Sequence, residues 1–197
     1  MSYKIGITGG IASGKSLVCS FLRELGIPVV SADDIVKELQ KDEYYLSEIR
    51  KLFGDEVFIG RELNRKKLAE IIFSNEAKRE LLNKLLHPPV LEEIKKRIEK
   101  LKDYRIIAIE VPLLFEVGIE DWFDEIWVVY IPIDLQIKRI MERDKLTKEE
   151  ALLRIRSQIP LEEKVKKAHF VIFNDGDEKN TKEQVKKRIS YIDQNII

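Results

Sequence analysis

Gly9-Gly10-Ile11-Ala12-Ser13-Gly14-Lys15-Ser16 is the most informative stretch of this sequence. It matches the pattern G-x-x-x-x-G-K-[ST] at every fixed position, and it lies between an apolar β-branched run and an apolar run with helical periodicity. Such a loop binds phosphate because its backbone N–H groups turn inward and the following helix N-terminus adds positive potential. We call residues 9–16 the P-loop and predict strand, loop and helix here.

Individual residues of the P-loop have predicted roles in binding a nucleoside triphosphate. Lys15 is expected to span the β- and γ-phosphates, and the Ser16 hydroxyl is expected to ligate Mg²⁺. A glycine-rich turn with a solvated lysine is the alternative, which the complete motif in this context disfavours. The predicted nucleotide-binding residues of this region are Gly10, Ile11, Ala12, Ser13, Gly14, Lys15, Ser16 and Leu17.

Further apolar runs predict a doubly wound α/β fold with a parallel five-stranded sheet. The runs lie at residues 3–8, 27–30, 105–110, 126–131 and 170–173. Unbroken apolar runs are typical of strands that are covered on both faces. Helical patterns fill the gaps, with start signals at Asp134, Thr147 and Thr181. Alternating strands and helices predict right-handed βαβ units, as in P-loop NTPases.

A charged, mostly helical pattern follows the second strand and is too long for one crossover helix. Gly54, Gly60 and the His87-Pro88-Pro89 segment interrupt it. Because a residue before proline favours extended backbone, we predict that a helix ends at His87. The pattern indicates a helical substructure inserted between strands, a position suited to substrate recognition.

Composition and charge restrict the possible partners. The 197 residues are 44% hydrophobic, and the 35 basic and 35 acidic residues cancel, so no long-range field would attract nucleic acid or an anionic membrane. The sequence shows neither a signal-peptide pattern nor an apolar run of membrane-spanning length. A single cysteine, Cys19, excludes an internal disulfide and suits a reducing compartment. We therefore expect a cytoplasmic protein without a nucleic-acid or membrane partner.

The motifs that accompany the P-loop favour a small-molecule kinase over a GTPase switch. A switch needs a D-x-x-G motif and an N/T-K-x-D motif, and neither is present. Small size, a single P-loop and a helical insertion favour a kinase. Two alternatives stay open: a nucleoside or nucleotide kinase of the same architecture, and a P-loop binding module or regulatory ATPase without a small-molecule acceptor.

Asp33 is the candidate for the carboxylate that orients or deprotonates the attacking hydroxyl in phosphoryl transfer. It follows the second predicted strand, and ligands approach an open α/β sheet at the carboxyl ends of its strands. Aspartate is also a favoured helix cap. From the residues alone, Asp33 as the base and Asp33 or Asp34 as a cap are equally supported.

Arg139 and Arg143 are candidates for neutralising the phosphate during transfer. They are four residues apart on a predicted helix and therefore project from one face. Small-molecule kinases often close a helical lid whose arginines do this work. A solvated, salt-bridged surface, with its own Lys138–Glu142 pair, is the alternative.

Taken together, these motifs resemble the dephospho-coenzyme A kinase family over nearly the whole chain. The matching segments are residues 7–16, Ala32-Asp33, Phe53-Gly54, Leu63-Asn64-Arg65, His87-Pro88, residues 111–116, Arg139, Arg143, Arg154, Gln158, Asn174 and Gly176. The P-loop is shared by many families, whereas the P-L-L-F-E segment with an upstream H-P is far more specific.

The resemblance implies a kinase that uses Mg²⁺ and ATP to phosphorylate the 3′-hydroxyl of dephospho-coenzyme A. It implies a nucleotide-binding core (residues 1–34, 104–133 and 168–197), a helical dephospho-coenzyme A binding insertion (35–103) and a lid (134–167). It implies that Asp33 is the base, that Lys15, Arg139 and Arg143 assist the transfer, and that Asn174 and Arg139 bind ATP. The implied acceptor-binding residues are Asp33, Arg65, His87, Pro112, Leu113, Leu114 and Glu116. We expect a monomer or weak homo-oligomer.

Several positions depart from the family pattern. Ser31 stands where the first aspartate of D-A-D is usual. The other departures are Ala12, Leu17, Lys145 and His169. None removes a group that the implied reaction requires, but Ser31 supplies no second carboxylate at its position.

Overall fold

The computed structural model of the protein describes residues 2–195. The β-strands in this range are β1 (Tyr3–Gly9), β2 (Val29–Ser31), β3 (Phe58–Ile59), β4 (Glu62–Leu63), β5 (Ile106–Glu110), β6 (Glu125–Tyr130) and β7 (Phe170–Phe173). The α-helices are α1 (Lys15–Glu24), α2 (Ala32–Leu39), α3 (Glu43–Phe53), α4 (Arg65–Ser74), α5 (Glu76–Lys100), α6 (Ile133–Asp144), α7 (Lys148–Arg156), α8 (Leu161–Lys166) and α9 (Glu178–Asn195).

Five parallel strands form the main sheet in the order β2-β5-β1-β6-β7. This confirms the predicted doubly wound parallel sheet, and each of the five apolar runs overlaps one of its strands. β1 is the central strand, with β5 paired on one side and β6 on the other. The P-loop therefore begins at the carboxyl end of the most enclosed strand.

The chain divides into two compact units. The first, which we call the core unit, contains the described residues up to Ser31 and from Arg97 onward, and the second, the inserted unit, is Ala32–Lys96. The residues predicted to form a lid belong to the core unit. A lid that moves separately therefore stays a prediction, as do the predicted boundaries of the three parts.

The core unit is built on the two faces of the sheet. On one face, Val18 and Leu22 of α1 and Val185 of α9 pack with Ile5 and Trp127. On the other face, β1 has a glycine, Gly6. A Cβ atom there would lie 2.8 Å from Leu114 Cδ1 and 2.9 Å from Phe123 Cγ. The absence of a side chain at Gly6 thus lets the segment after β5 pack directly on the central strand.

The inserted unit has its own hydrophobic core. Ile49 and Phe53 of α3, Leu68 of α4 and Leu86 of α5 are buried in it together with Val57. A short antiparallel hairpin of β3 and β4, which the sequence pattern did not predict, lies beside these helices in the chain. Its strands have two residues each, too few to show an alternating pattern.

The expected helix end at His87 is wrong, because α5 continues through Pro88 and Pro89. The helix buries one residue in every four along a single face: Leu82, Leu86, Val90 and Ile94. An interior proline costs a helix about 3 kcal/mol, whereas each buried aliphatic side chain stabilises it by about 1.5–3 kcal/mol. Burial of this face therefore offsets the backbone hydrogen bonds that the prolines remove.

Helix starts after the inserted unit were predicted with mixed success. α7 begins at the expected capping box, in which Thr147 Oγ1 accepts from Glu150 N and Glu150 Oε2 accepts from Thr147 N. α6 begins at Ile133, one residue before Asp134. The predicted start at Thr181 is wrong, since α9 begins at Glu178 and Thr181 is buried within its first turns. Asp177 accepts from Asn180 N there, in the manner of a helix cap.

No helix within residues 2–195 combines the length and the apolar character that crossing a membrane requires.

Replacing Gly6 by alanine tests the packing at the central strand. The new methyl group would press on Leu114 and Phe123, so Gly6→Ala should lower the free energy of unfolding by about 1–3 kcal/mol, measured by urea denaturation. Gly176→Ala is the matched control, because a Cβ there meets nothing closer than Asn180 Nδ2 at 3.7 Å. Equal stability of the two variants would contradict the packing argument.

Candidate active site

The P-loop connects β1 to α1 and fits tightly against its neighbours. A Cβ atom on Gly9 would lie 2.6 Å from the carbonyl oxygen of Val129 in β6. A Cβ atom on Gly10 would overlap Nε2 of Gln136, and one on Gly14 would overlap Nδ2 of Asn174. Gly14 also has φ of 100°, a left-handed conformation that favours glycine. The glycines are therefore required by contacts as well as by backbone conformation.

Lys15 and Ser16 begin α1 at the end of the P-loop. The Lys15 side chain folds over the loop, and its Nζ donates to the carbonyl oxygen of Gly10 at 2.8 Å. The Ser16 side chain is exposed on the first turn of the helix. The positions expected to bind phosphate and a divalent cation therefore lie side by side at one helix N-terminus, where positive potential is concentrated.

Mg²⁺ fits this arrangement as an ion held mainly by phosphate oxygens. Among residues 2–195, no cluster of three or more His, Cys, Asp and Glu side chains could hold a metal. Mg²⁺ commonly binds through one or two protein oxygens together with substrate phosphates and waters. The exposed Ser16 hydroxyl is a ligand of that kind.

Two buried carboxamides contact the outer side of the P-loop. Nε2 of Gln136 donates to the carbonyl oxygen of Ile11 at 2.8 Å, and Nδ2 of Asn174 donates to that of Ser13 at 2.8 Å. Gln136 is 3% exposed and Asn174 is 4% exposed. The side chain of Asn174, which the resemblance implies binds ATP, is thus hydrogen-bonded to the P-loop itself.

Gln136 was not among the residues predicted from sequence. A signal was nevertheless present, because Gln136 lies beside Ile137 and Ile140 on the buried face of α6. A polar side chain on a buried helical face needs a hydrogen-bond partner.

The predicted lid arginines have different partners. Nη2 of Arg139 donates to the carbonyl oxygen of Asn174 at 2.9 Å, which connects α6 to the residue that contacts the P-loop. Arg143 makes two hydrogen bonds to Asp144, and Arg154 makes a third at 2.6 Å. These cations hold the pKa of Asp144 below its usual value, chiefly through the Arg143 hydrogen bond. The exposed Lys138 and Glu142 also approach each other, at 4.0 Å.

The segment after β5, residues 111–116, is anchored to the core unit. The carbonyl oxygen of Pro112 accepts from Thr8 Oγ1 at 3.0 Å and from Lys164 Nζ at 2.9 Å. The Lys164 side chain is 0% exposed and also pairs with Glu116 Oε1 at 2.8 Å. Burial lowers the pKa of Lys164, although Glu116 opposes this shift. Leu114 is fully buried, so direct contact of its side chain with a substrate is not supported, whereas Leu113 is partly exposed.

Ser31 has a buried partner at the edge of this site. Its hydroxyl donates to Glu110 Oε2 at 2.8 Å, and the two residues are paired at the carboxyl ends of β2 and β5. A hydroxyl can donate to this carboxylate, whereas an ionised aspartate could only accept. The serine is therefore well matched to Glu110.

Other predicted site residues belong to the inserted unit. Asp33 and Asp34 lie on the first turn of α2, and both are exposed. The Asp34 carboxylate pairs with Lys37 Nζ at 2.8 Å. Arg65 begins α4 and donates to the carbonyl oxygen of Lys37 at 3.2 Å.

His87 is half-buried inside α5, and burial lowers its pKa. The ring is therefore mostly neutral at pH 7, which suits a hydrogen-bonding role better than that of a positive charge.

Comparisons with known proteins point to one kinase family. A family model described as dephospho-CoA kinase matches residues 3–180. A dephospho-CoA kinase from Carboxydothermus hydrogenoformans is 44% identical over 185 residues, which cover 92% of this chain and 90% of that protein. The structure of a dephospho-CoA kinase from Campylobacter jejuni has a TM-score of 0.72 at 34% identity and 100% coverage of both chains. A crystal structure of a Thermus thermophilus protein has a TM-score of 0.80 at 34% identity, covering 96% of this chain and 97% of that one.

Replacing Lys164 tests the anchor of residues 111–116. Lys164→Met leaves the Glu116 carboxylate without its buried cation and should lower the free energy of unfolding by about 3–5 kcal/mol in urea denaturation. Lys166→Met makes the same change on the same helix but removes only an exposed pair with Glu163. That control should change stability by less than about 0.5 kcal/mol. Equal, small losses in both variants would show that the buried pair is not an anchor.

Proposed function

The chain belongs to the dephospho-CoA kinase family, and on that premise we propose how its residues transfer the γ-phosphate of ATP to the 3′-hydroxyl of dephospho-coenzyme A. The chain is an ATP-dependent kinase, and the reaction, which yields coenzyme A and ADP, is the last step of coenzyme A biosynthesis. The observation that carries the proposal is the complete P-loop at the end of the central strand, with Lys15 folded over it.

The donor phosphates are held by the P-loop and the N-terminus of α1. Backbone N–H groups of the P-loop bind phosphate oxygens, and Lys15 exchanges its bond to Gly10 for the β- and γ-phosphates. The Ser16 hydroxyl would hold Mg²⁺, and the bound ion would supply positive charge to the triphosphate. Both groups are on the same helical turn, so the donor is oriented by one rigid element.

Asp33 is the proposed base for the acceptor hydroxyl. It follows the end of β2 by two residues, and its side chain is exposed on the first turn of α2. The neighbouring Asp34 is engaged with Lys37. Of the two aspartates, Asp33 is therefore better suited to accept a proton from substrate.

Five further residues are assigned to the acceptor. We assign Arg65, His87, Pro112, Leu113 and Glu116 to the binding of dephospho-coenzyme A. The contacts of Pro112 and Glu116 with Lys164 support this assignment because they would hold the segment in a fixed place.

Developing charge on the transferred phosphoryl group is met by Lys15, Arg139 and Arg143. Arg139 has the stronger structural support, since it bonds to Asn174, whose side chain contacts the P-loop. Arg143 would have to exchange at least part of its bidentate contact with Asp144 for phosphate. We also propose a cytoplasmic location and a monomer or weak homo-oligomer as the acting form, with ATP and dephospho-coenzyme A as the partners.

An acceptor assay tests the reaction directly. The enzyme receives Mg²⁺ and ATP with dephospho-coenzyme A, with adenosine, with nucleoside monophosphates, or with no acceptor, and ADP and phosphorylated product are quantified. We expect product only with dephospho-coenzyme A. Acceptor-independent release of ADP would instead indicate an ATPase, and product only from the other nucleosides or nucleotides would indicate a different kinase.

Asp33→Asn tests the base. Loss of the carboxylate should lower kcat by about 10²–10⁴-fold, the usual contribution of general acid–base catalysis, and leave the binding of ATP unchanged. Asp34→Asn, one position along the same turn, is the matched control and should retain kcat within about twofold. Near-normal turnover of Asp33→Asn would remove Asp33 from this role.

A further inference from the structure

We propose that Gln136 and Thr181 are positioning residues of the phosphate site, and that Thr181 acts through the side chain of Asn174. The two carboxamides, Gln136 and Asn174, hold P-loop carbonyl groups outward so that the N–H groups of the same peptide units face phosphate. This inference depends on the proposed function in one respect only, which is that the nucleotide bound at the P-loop is ATP or ADP.

The two carboxamides contact two different peptide units of the P-loop. Gln136 bonds to the carbonyl oxygen of Ile11, and Asn174 bonds to that of Ser13. In a planar trans peptide, the C=O and the following N–H point in opposite directions. The N–H groups of Ala12 and Gly14 are therefore directed away from the two carboxamides. Holding these carbonyl groups thus fixes the direction of two potential phosphate donors.

The two carboxamides lie against two glycines of the P-loop. A Cβ atom at Gly10 would overlap the Gln136 amide nitrogen, and one at Gly14 would overlap that of Asn174. Both amides are almost completely buried, so each needs its hydrogen bond to the loop. Each glycine therefore provides the space that an amide requires to reach a loop carbonyl group.

The orientation of the Asn174 carboxamide depends on Thr181. The nitrogen and oxygen ends of a carboxamide have nearly the same shape, so a partner must select between them. The Thr181 hydroxyl, which is 0% exposed, lies 2.9 Å from Asn174 Oδ1 and donates to it. Its other acceptor, the carbonyl oxygen of Asp177, is more distant at 3.4 Å. Thr181 thereby keeps the amide nitrogen directed at Ser13.

Helix α6 supports both carboxamide contacts with the P-loop. Gln136 and Arg139 are three residues apart on α6 and therefore share a face. Gln136 donates a hydrogen bond to the carbonyl oxygen of Ile11, and Arg139 donates one to the carbonyl oxygen of Asn174. Asn174 N also donates to Tyr130 O at 3.0 Å, at the end of β6. The P-loop is thus held from α6 directly and through Asn174.

The test compares Thr181→Val with Thr181→Ser in the full-length enzyme. Valine keeps the shape of threonine and loses the hydroxyl, whereas serine keeps the hydroxyl. Calorimetric titration with Mg²⁺-ADP should show about 3- to 10-fold weaker binding for Thr181→Val, the range expected for one lost hydrogen bond, and near-normal binding for Thr181→Ser. The KM for ATP should rise similarly, while the KM for dephospho-coenzyme A should change by less than about twofold.

Two further measurements separate positioning from general damage to the fold. Thr147→Val removes a helix cap on α7 and should lower the Tm without changing the affinity for Mg²⁺-ADP. Tripolyphosphate has no adenine. Its affinity for Thr181→Val, relative to the wild-type enzyme, should fall by the same factor as that of ADP. A loss confined to ADP would assign Asn174 to the base and overturn the proposal.

Gln136→Met provides an independent arm, because it removes the amide donor at similar volume. It should weaken both Mg²⁺-ADP and tripolyphosphate by about 3- to 10-fold. Wild-type affinity in either Thr181→Val or Gln136→Met would overturn the role of that residue, as would failure of serine to restore binding. Nucleotide binding needs no acceptor, so these results stand even if dephospho-coenzyme A proves not to be the substrate.

Discussion

The close packing of the P-loop against its neighbours is the constraint on which the rest of the core unit depends. A side chain at position 9 would collide with the carbonyl group of Val129, and one at position 14 would collide with Asn174, so both positions are glycine. β6, which carries Val129, must therefore lie immediately beside β1, as the sheet order shows. The start of the connection to α9, which carries Asn174, must lie at the same end of the sheet. Sheet order and phosphate binding are thus two consequences of one set of contacts.

Buried ionic groups in the core unit fix segments in place. Lys164 contacts both the Glu116 carboxylate and the carbonyl oxygen of Pro112. Glu125 accepts hydrogen bonds from Arg188 Nε at 2.6 Å and from the Tyr3 hydroxyl at 3.1 Å. Burial and the nearby Glu125 carboxylate raise the pKa of Tyr3 to about 12, so this hydroxyl remains a donor at all ordinary pH values.

The sequence predicted those parts of the structure whose cause is local. Strands buried on both faces are continuously apolar, and the P-loop spacing is dictated by phosphate geometry, so both were visible in the pattern. The hydrogen bond of Gln136 to Ile11 spans 125 positions, and that of Asn174 to Ser13 spans 161. The helical pattern of α6 indicates that Gln136 is buried and needs a partner, but no local pattern identifies a partner so distant in the chain. Thr181 illustrates the difference, because its T-K-E-Q pattern indicated a helix start while its buried hydroxyl bonds to Asn174.

His87 shows the same principle in the inserted unit. The two prolines after it predicted a helix end, yet α5 continues because Leu86 and Val90 on either side are buried. A local backbone preference of a few kcal/mol is comparable to the burial of two or three aliphatic side chains, so tertiary packing decides the outcome. Where a local signal and a buried face disagree, the area of the face is the better guide. Such a face is recognised by its four-residue spacing, which the sequence from Leu82 to Ile94 contains.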